Sequence, residues 1–245
     1  MIKTGDISGY LKTNSRRIFM SLAGVIICAV SVGVFKLAAL GVDPFQSLMS
    51  GLDSVIPIGF GTLYVIVNAV LLLFSIFADR HNIGIATFIN LFLLGYITQF
   101  TYDMLQKLFP SPSIVFRAVC LVIGIVVICF GSAMYMTADL GVSTYDAVAI
   151  VISGKWKIGK FKYVRICTDL VCVITGCLLF VLAGNPVSQI PTIAGIGTII
   201  TAFFMGPLIE FFNVHFSRPF LFEREWSHMT MRPAAKDESK KTVSE

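Results

Sequence analysis

Leu40-Gly41-Val42 recurs as Leu140-Gly141-Val142, one hundred residues further along the chain, and the match spreads outward from there. At the same offset Arg17 meets Arg117, Gly24 meets Gly124, Ala38 meets Ala138, and Ile58-Gly59 meets Ile158-Gly159. Later the offset grows to 111, where Thr87-Phe88-Ile89-Asn90-Leu91-Phe92-Leu93-Leu94-Gly95 aligns with Thr198-Ile199-Ile200-Thr201-Ala202-Phe203-Phe204-Met205-Gly206. The added residues belong to the polar turn 184–191. This is an internal duplication, and duplicated membrane halves usually meet at a substrate pathway.

Composition sets the class. Of 245 residues, 56% are hydrophobic and only 13% charged, about half the charge of a soluble domain. The apolar residues fall in six blocks, roughly 18–40, 60–78, 83–104, 114–137, 163–183 and 192–212, each long enough to cross a bilayer as a helix. The first block follows Arg16-Arg17 as a leader peptide would, but its match to the fourth makes it a structural span. All six cysteines lie in apolar blocks without a Cys-x-x-Cys pair, and His81, His215 and His228 are scattered. These features predict packing cysteines, no metal, no cofactor and no catalytic triad. The chain is therefore expected not to be an enzyme.

The basic residues give an orientation. With the N-terminus inside, Lys3, Lys12, Arg16, Arg17, Arg80, Lys155, Lys157, Lys160, Lys162, Arg165 and six in the C-terminal tail are cytoplasmic; Lys36, Lys107 and Arg117 fall outside. Sixteen against three is the positive-inside pattern, which also leaves no basic surface for nucleic acid. A repeat of three spans is odd-numbered, so the second unit inserts upside down relative to the first. The expected organisation is a cytoplasmic tail 1–17, a first three-helix repeat 18–105, an external connection 106–113, a second repeat 114–212 and a partly disordered cytoplasmic tail 213–245. In that tail, Phe220-Leu221-Phe222 and Trp226 have the character of an inner-leaflet contact.

Two connections are too structured to be loops. Asp43-Pro44-x-Gln46 predicts a helix start, with Asp43 as cap, Pro44 in the first position and Gln46 reaching back. Apolar residues follow at helical spacing up to Pro57. Ser143-x-x-Asp146 is a capping box at the equivalent place, and Gly154 ends its segment. Each short helix either dips into the membrane beside its Leu-Gly-Val turn or lies along the surface. The turn residues singled out are Gly41, Asp43, Pro44, Gly141, Ser143 and Asp146.

Polar groups inside spans are costly and usually face a cavity or a partner helix. The candidates for a pathway are Asn68, Asn90, Thr168, Asp169, Thr198 and Thr201. The duplication sets Asn68 against Thr168 and Asn90 against Thr201. Asp169 binds a cation, carries a proton, or pairs with Arg165 one turn away. Gly61, Gly95, Gly197 and Gly206 permit close helix packing.

Leu40-Gly41-Val42-Asp43-Pro44-Phe45, Ile58-Gly59-Phe60-Gly61, Gly197-Thr198-Ile199 and Gly206-Pro207-Leu208-Ile209 resemble the YczE/YyaS/YitT group of bacterial integral membrane proteins over residues 15–212. The short tail resembles the compact YczE-like branch. The resemblance implies a bacterial plasma-membrane location and little about substrate. Two departures stand out: Thr144 replaces Pro44, and Met136 replaces Lys36.

The expectation is an all-α polytopic membrane protein of six transmembrane helices in two inverted three-helix repeats, each with a short broken or re-entrant helix. Its expected function is a transporter or channel for a small polar solute. The alternative is a non-transporting membrane partner or regulatory or assembly subunit. The expected partners are the lipid bilayer, a solute, and either a second copy or another membrane protein.

Overall fold

A computed structural model describes residues 15–79, 83–159 and 161–221, and the side chains of all of these but 161 and 162. Arg80, Lys160, the side chain of Lys162, the tail before residue 15 and the tail from 222 lie outside the described residues. The elements are α1 (Ser15–Ala38), α2 (Pro44–Val55), α3 (Phe60–Ala78), α4 (Ile85–Leu108), α5 (Ile114–Thr137), α6 (Thr144–Ile150), α7 (Phe161–Leu182), α8 (Ile190–Ile193) and α9 (Ile196–Phe212). Wider π turns extend α6 over Val151–Lys155 and α9 over Asn213–Ser217. Six of these helices are long and apolar enough to cross a membrane. The chain is an all-α, multi-pass membrane protein.

The centre is the pair α1 and α5. Arg17 at the start of α1 donates to Ala138 O beyond the end of α5 at 3.4 Å, and Arg117 at the start of α5 donates to Ala38 O at the end of α1 at 2.6 Å. The two helices therefore run antiparallel. Small residues bring their backbones together. A Cβ on Gly24 would meet Tyr135, and one on Gly124 would meet Phe35; Ser31 Oγ donates to Gly124 O at 2.7 Å. Residues 24 and 124, 35 and 135, 17 and 117 thus make corresponding contacts at the offset of one hundred.

Arg117 is one of the three basic residues that the charge count put outside. Half-buried, it caps the end of α1, its guanidinium also donating to Ala39 O. A charged donor to a carbonyl is worth about 1.5–3 kcal/mol when formed away from water. Arg117→Ala is expected to lower unfolding stability in mixed micelles by about 1.5 kcal/mol. Arg117→Lys should recover less than half, because an ammonium cannot fork between two carbonyls. Full recovery by lysine would show that only the charge matters. Lys36, a second of the three, lies over the Phe60 ring at 3.4 Å.

The halves exchange their turns. Leu40 O accepts from Gly197 N at 2.8 Å, at the start of α9, and Leu140 O accepts from Ala86 N at 3.0 Å, at the start of α4. Gly195 N and Gly84 N each donate to a threonine hydroxyl three residues on, Thr198 and Thr87, both at 3.2 Å. Gly41 and Gly141 have φ +99° and +113°, and a Cβ on either would strike the glycine backbone it faces. The turn 184–191, expected to hold the extra residues, carries a left-handed Gly184 and a single 3-10 turn, Val187–Gln189. It leads into α8, on which the first Leu-Gly-Val turn also leans: Gly41 N and Val42 N reach Thr192 O and Ile193 O at 3.3 Å.

Candidate functional site

The two short helices begin against each other. Asp43 caps α2 by accepting from Gln46 N at 3.1 Å, and Ser143 caps α6 by accepting from Asp146 N at 3.1 Å. The forward half of each expected capping box is present. The reverse half is not: Gln46 Oε1 is buried without a hydrogen-bond partner, and the Asp146 carboxylate takes the Ser143 hydroxyl at 2.7 Å. The Phe45 and Tyr145 rings stack at 4.8 Å, tilted by 21°, so the first turns of α2 and α6 meet face to face. In α2 the first turn, Pro44 to Ser47, is buried, whereas Val55 and Ile56 are exposed.

Around this junction the polar residues form two groups. In the first, Thr144 Oγ1 donates to Asn68 Oδ1, Asn68 Nδ2 donates to Tyr64 O at 2.8 Å, and the Tyr64 hydroxyl donates to Asn90 Oδ1 at 3.2 Å. This chain ties α6 to α3 and α4, and all four side chains are buried. Asn68 is bonded through both its amide oxygen and nitrogen and Asn90 through its oxygen, which offsets the cost of burying them.

The second group is charged. Arg165 on α7 forms ion pairs with Asp146 and, at 3.3 Å, with Asp169 Oδ1. Its guanidinium lies over the Tyr145 ring at 4.3 Å, and the Tyr145 hydroxyl donates to Asp169 Oδ1 at 2.5 Å. Both bonds on Asp169 land on one oxygen. Asp43 is close enough to interact electrostatically with Asp169 and Arg165.

The six candidate pathway residues therefore do not converge. Asn68 and Asn90 belong to the first group. Asp169 and Thr198 line a cavity between α7 and α9 of about 770 Å³, with Pro44 and Arg165. Thr201 Oγ1 returns to Thr198 O at 3.1 Å, and Thr168 Oγ1 to Arg165 O at 2.9 Å, each within its own helix. The match of Asn68 with Thr168 fails chemically at its partner: Asn68 is held by the Thr144 hydroxyl, and Pro44, the counterpart of Thr144, has none. Of the three roles the sequence left open for Asp169, the pairing with Arg165 is present, but Tyr64, Thr144 and Tyr145 were not foreseen as hydrogen-bonding members. The only signal for Thr144 was its departure from the proline pattern.

The walls of the cavity are mostly apolar, including Ile166, Leu170, Ile199 and Phe203. Its helices also break the correspondence seen elsewhere. Between α3 and α4, Gly95 is clasped by Tyr64, whose Cβ lies 2.6 Å from where a Cβ on Gly95 would stand; Gly61 N donates to Gln99 Oε1 at 2.9 Å. The matching α7 and α9 stand apart. Gly206, the counterpart of Gly95, has nothing within 4 Å of its would-be Cβ. So Gly61, Gly95 and Gly197 do permit close approach, while Gly206 is an empty notch.

The family described as a family of unknown function, DUF6198, matches residues 15–214. An uncharacterized protein from Haemophilus influenzae is 26% identical over 199 residues, covering 80% of this chain and 83% of its own. The uncharacterized protein YyaS of Bacillus subtilis is 23% identical over 198 residues, 81% of this chain and 92% of its own. The uncharacterized membrane protein YczE of Bacillus subtilis is 26% identical over 194 residues, 77% and 81%. No solved structure matches.

Proposed function

This chain belongs to the DUF6198 family and is similar to YczE and YyaS, and on that footing we propose that it is a small-solute transporter built from two three-span halves of opposite orientation. The carrying observation is the inequality of two helix pairs that the repeat makes equivalent. α3 and α4 are closed on each other, and α7 and α9 are parted around a cavity. Two halves with the same contacts at the core and different contacts at the periphery are what alternating access requires. Exchange of the two peripheral arrangements then moves the opening from one side to the other, around a fixed centre of α1, α5 and the stacked starts of α2 and α6. Both short helices are read as re-entrant, because the start of α2 is buried and its end exposed. The excess of lysine and arginine in the tails and in the connections on the same side supports cytoplasmic termini in this reading.

The test is a disulfide. Tyr64 and Gly95 touch in the closed pair, so Val164 and Gly206 should touch when the second pair closes. Val164→Cys with Gly206→Cys, in a chain with its six own cysteines replaced, is expected to cross-link under mild oxidation in native membranes. The rate should be altered by a bound solute. A pair that never cross-links, with or without solutes, would mean a static molecule, and the non-transporting partner subunit becomes the reading.

A further inference from the structure

Building on the transport reading, we propose that the cavity between α7 and α9 takes an organic cation with an apolar body. Charge and shape carry it together. Among the charged groups around the cavity are Asp169 and Arg165 in its wall, Asp146 paired with Arg165, and Asp43 next to the wall residue Pro44. Among the described residues, three carboxylates against one guanidinium leave two formal negative charges. The N-terminus of α2 supplies about half a positive charge, which does not close that gap and is already met by the Asp43 carboxylate. An excess of this kind between membrane helices is costly unless a cation joins it.

The acceptors are available. Asp169 Oδ1 holds both Tyr145 and Arg165, and Oδ2 has no hydrogen bond among the described residues. Gln46 Oε1, in the first turn of α2 but not in the cavity wall, is a buried acceptor without a donor among the described residues. An anion meets net repulsion here, since the one guanidinium is already engaged by two carboxylates. A bare metal ion fits no better. Hard cations want six or more converging oxygens, and among the described residues no three His, Cys, Asp or Glu side chains are grouped to hold one. About 770 Å³ of mostly apolar space suits a drug-sized apolar body with one charged group.

The probe is tetraphenylphosphonium, with tetraphenylborate as the same shape carrying the opposite charge. Binding of the labelled ions to the full chain in neutral-lipid nanodiscs is measured by scintillation proximity, with empty nanodiscs subtracted. Saturable binding of the phosphonium and none of the borate is expected. Asp169→Asn, which keeps an acceptor for Tyr145, should weaken binding by roughly tenfold, as loss of a nearby opposite charge implies. Ala202→Trp fills the cavity without removing a charge and should abolish binding, so the proposal stays testable if the first variant misfolds. Equal binding of both ions, no saturable binding, or an unchanged affinity in both variants would overturn it. Failure here with the Val164–Gly206 disulfide still forming removes the cation and leaves transport standing; cation binding without that disulfide does the reverse.

Discussion

Gly41→Ala is expected to cost about 3 kcal/mol of unfolding stability, made up of about 1–2 for a left-handed backbone and about 1–3 for overpacking. Gly41 has φ +99°, and its added Cβ would run into the Gly195 backbone and come 2.8 Å from Thr198 Oγ1. Backbone cannot swing aside as a flexible side chain does. The displaced turn would also lose the bonds from Gly41 N and Val42 N to α8 and from Gly197 N to Leu40 O. Gly141→Ala should behave alike, since it faces the Gly84 backbone and Thr87 Oγ1 at 2.8 Å with φ +113°. Gly206→Ala is the control, because nothing lies within 4 Å of its Cβ position. Denaturation in mixed micelles compares the three. Two large losses and one small one are expected; equal losses would mean that the turns are not docked on the opposite half.

Much of this architecture is one-dimensional information. The offset of one hundred, the apolar block lengths and the Asp43 and Ser143 caps are all written along the chain, and each has its counterpart in a contact or a helix boundary. The partners are not written there. Leu40 O finding Gly197 N, and Leu140 O finding Ala86 N, requires knowing that each half leans on the third span of the other. A charge count treats Arg117 as an external stray, since it carries no information about the free carbonyls of Ala38 and Ala39 nearby in space. Arg165 and Asp169 were legible as a pair one turn apart, but Asp146 and Tyr145 join them only through the fold. The same limit explains why the six polar candidates do not meet: Asn68 and Asn90 join one group, Asp169 the other, and Thr168 and Thr201 bond within their own helices. Position along each helix follows from the sequence, whereas direction around its axis depends on packing that differs between α3/α4 and α7/α9.

Arg165→Met carries the second large expected effect, about 2–3 kcal/mol. It leaves Asp146 and Asp169 without their cation, with Asp43 nearby. Removing one partner of a buried ion pair costs about 3–5 kcal/mol. The lower figure applies because the side chains of Arg165, Asp146 and Asp169 keep 31%, 28% and 19% of their exposure, which lets water screen part of the repulsion. The stem of methionine preserves most of the packing over Tyr145, so the loss reports charge more than volume. Adding Asp146→Asn and Asp169→Asn to Arg165→Met removes the stranded charges and should restore most of the stability. Phosphonium binding should move the other way: Arg165→Met, which leaves three carboxylates unopposed, should keep or strengthen it, and the triple variant, with Asp43 alone left, should weaken it. Thermal unfolding and probe binding, read on the same two preparations, separate the two roles. A triple variant that regains stability and binds the phosphonium as tightly as Arg165→Met does would show that Asp146 and Asp169 do not select the ligand by charge. One that does not regain stability would mean that the guanidinium supports the fold through contacts other than these ion pairs.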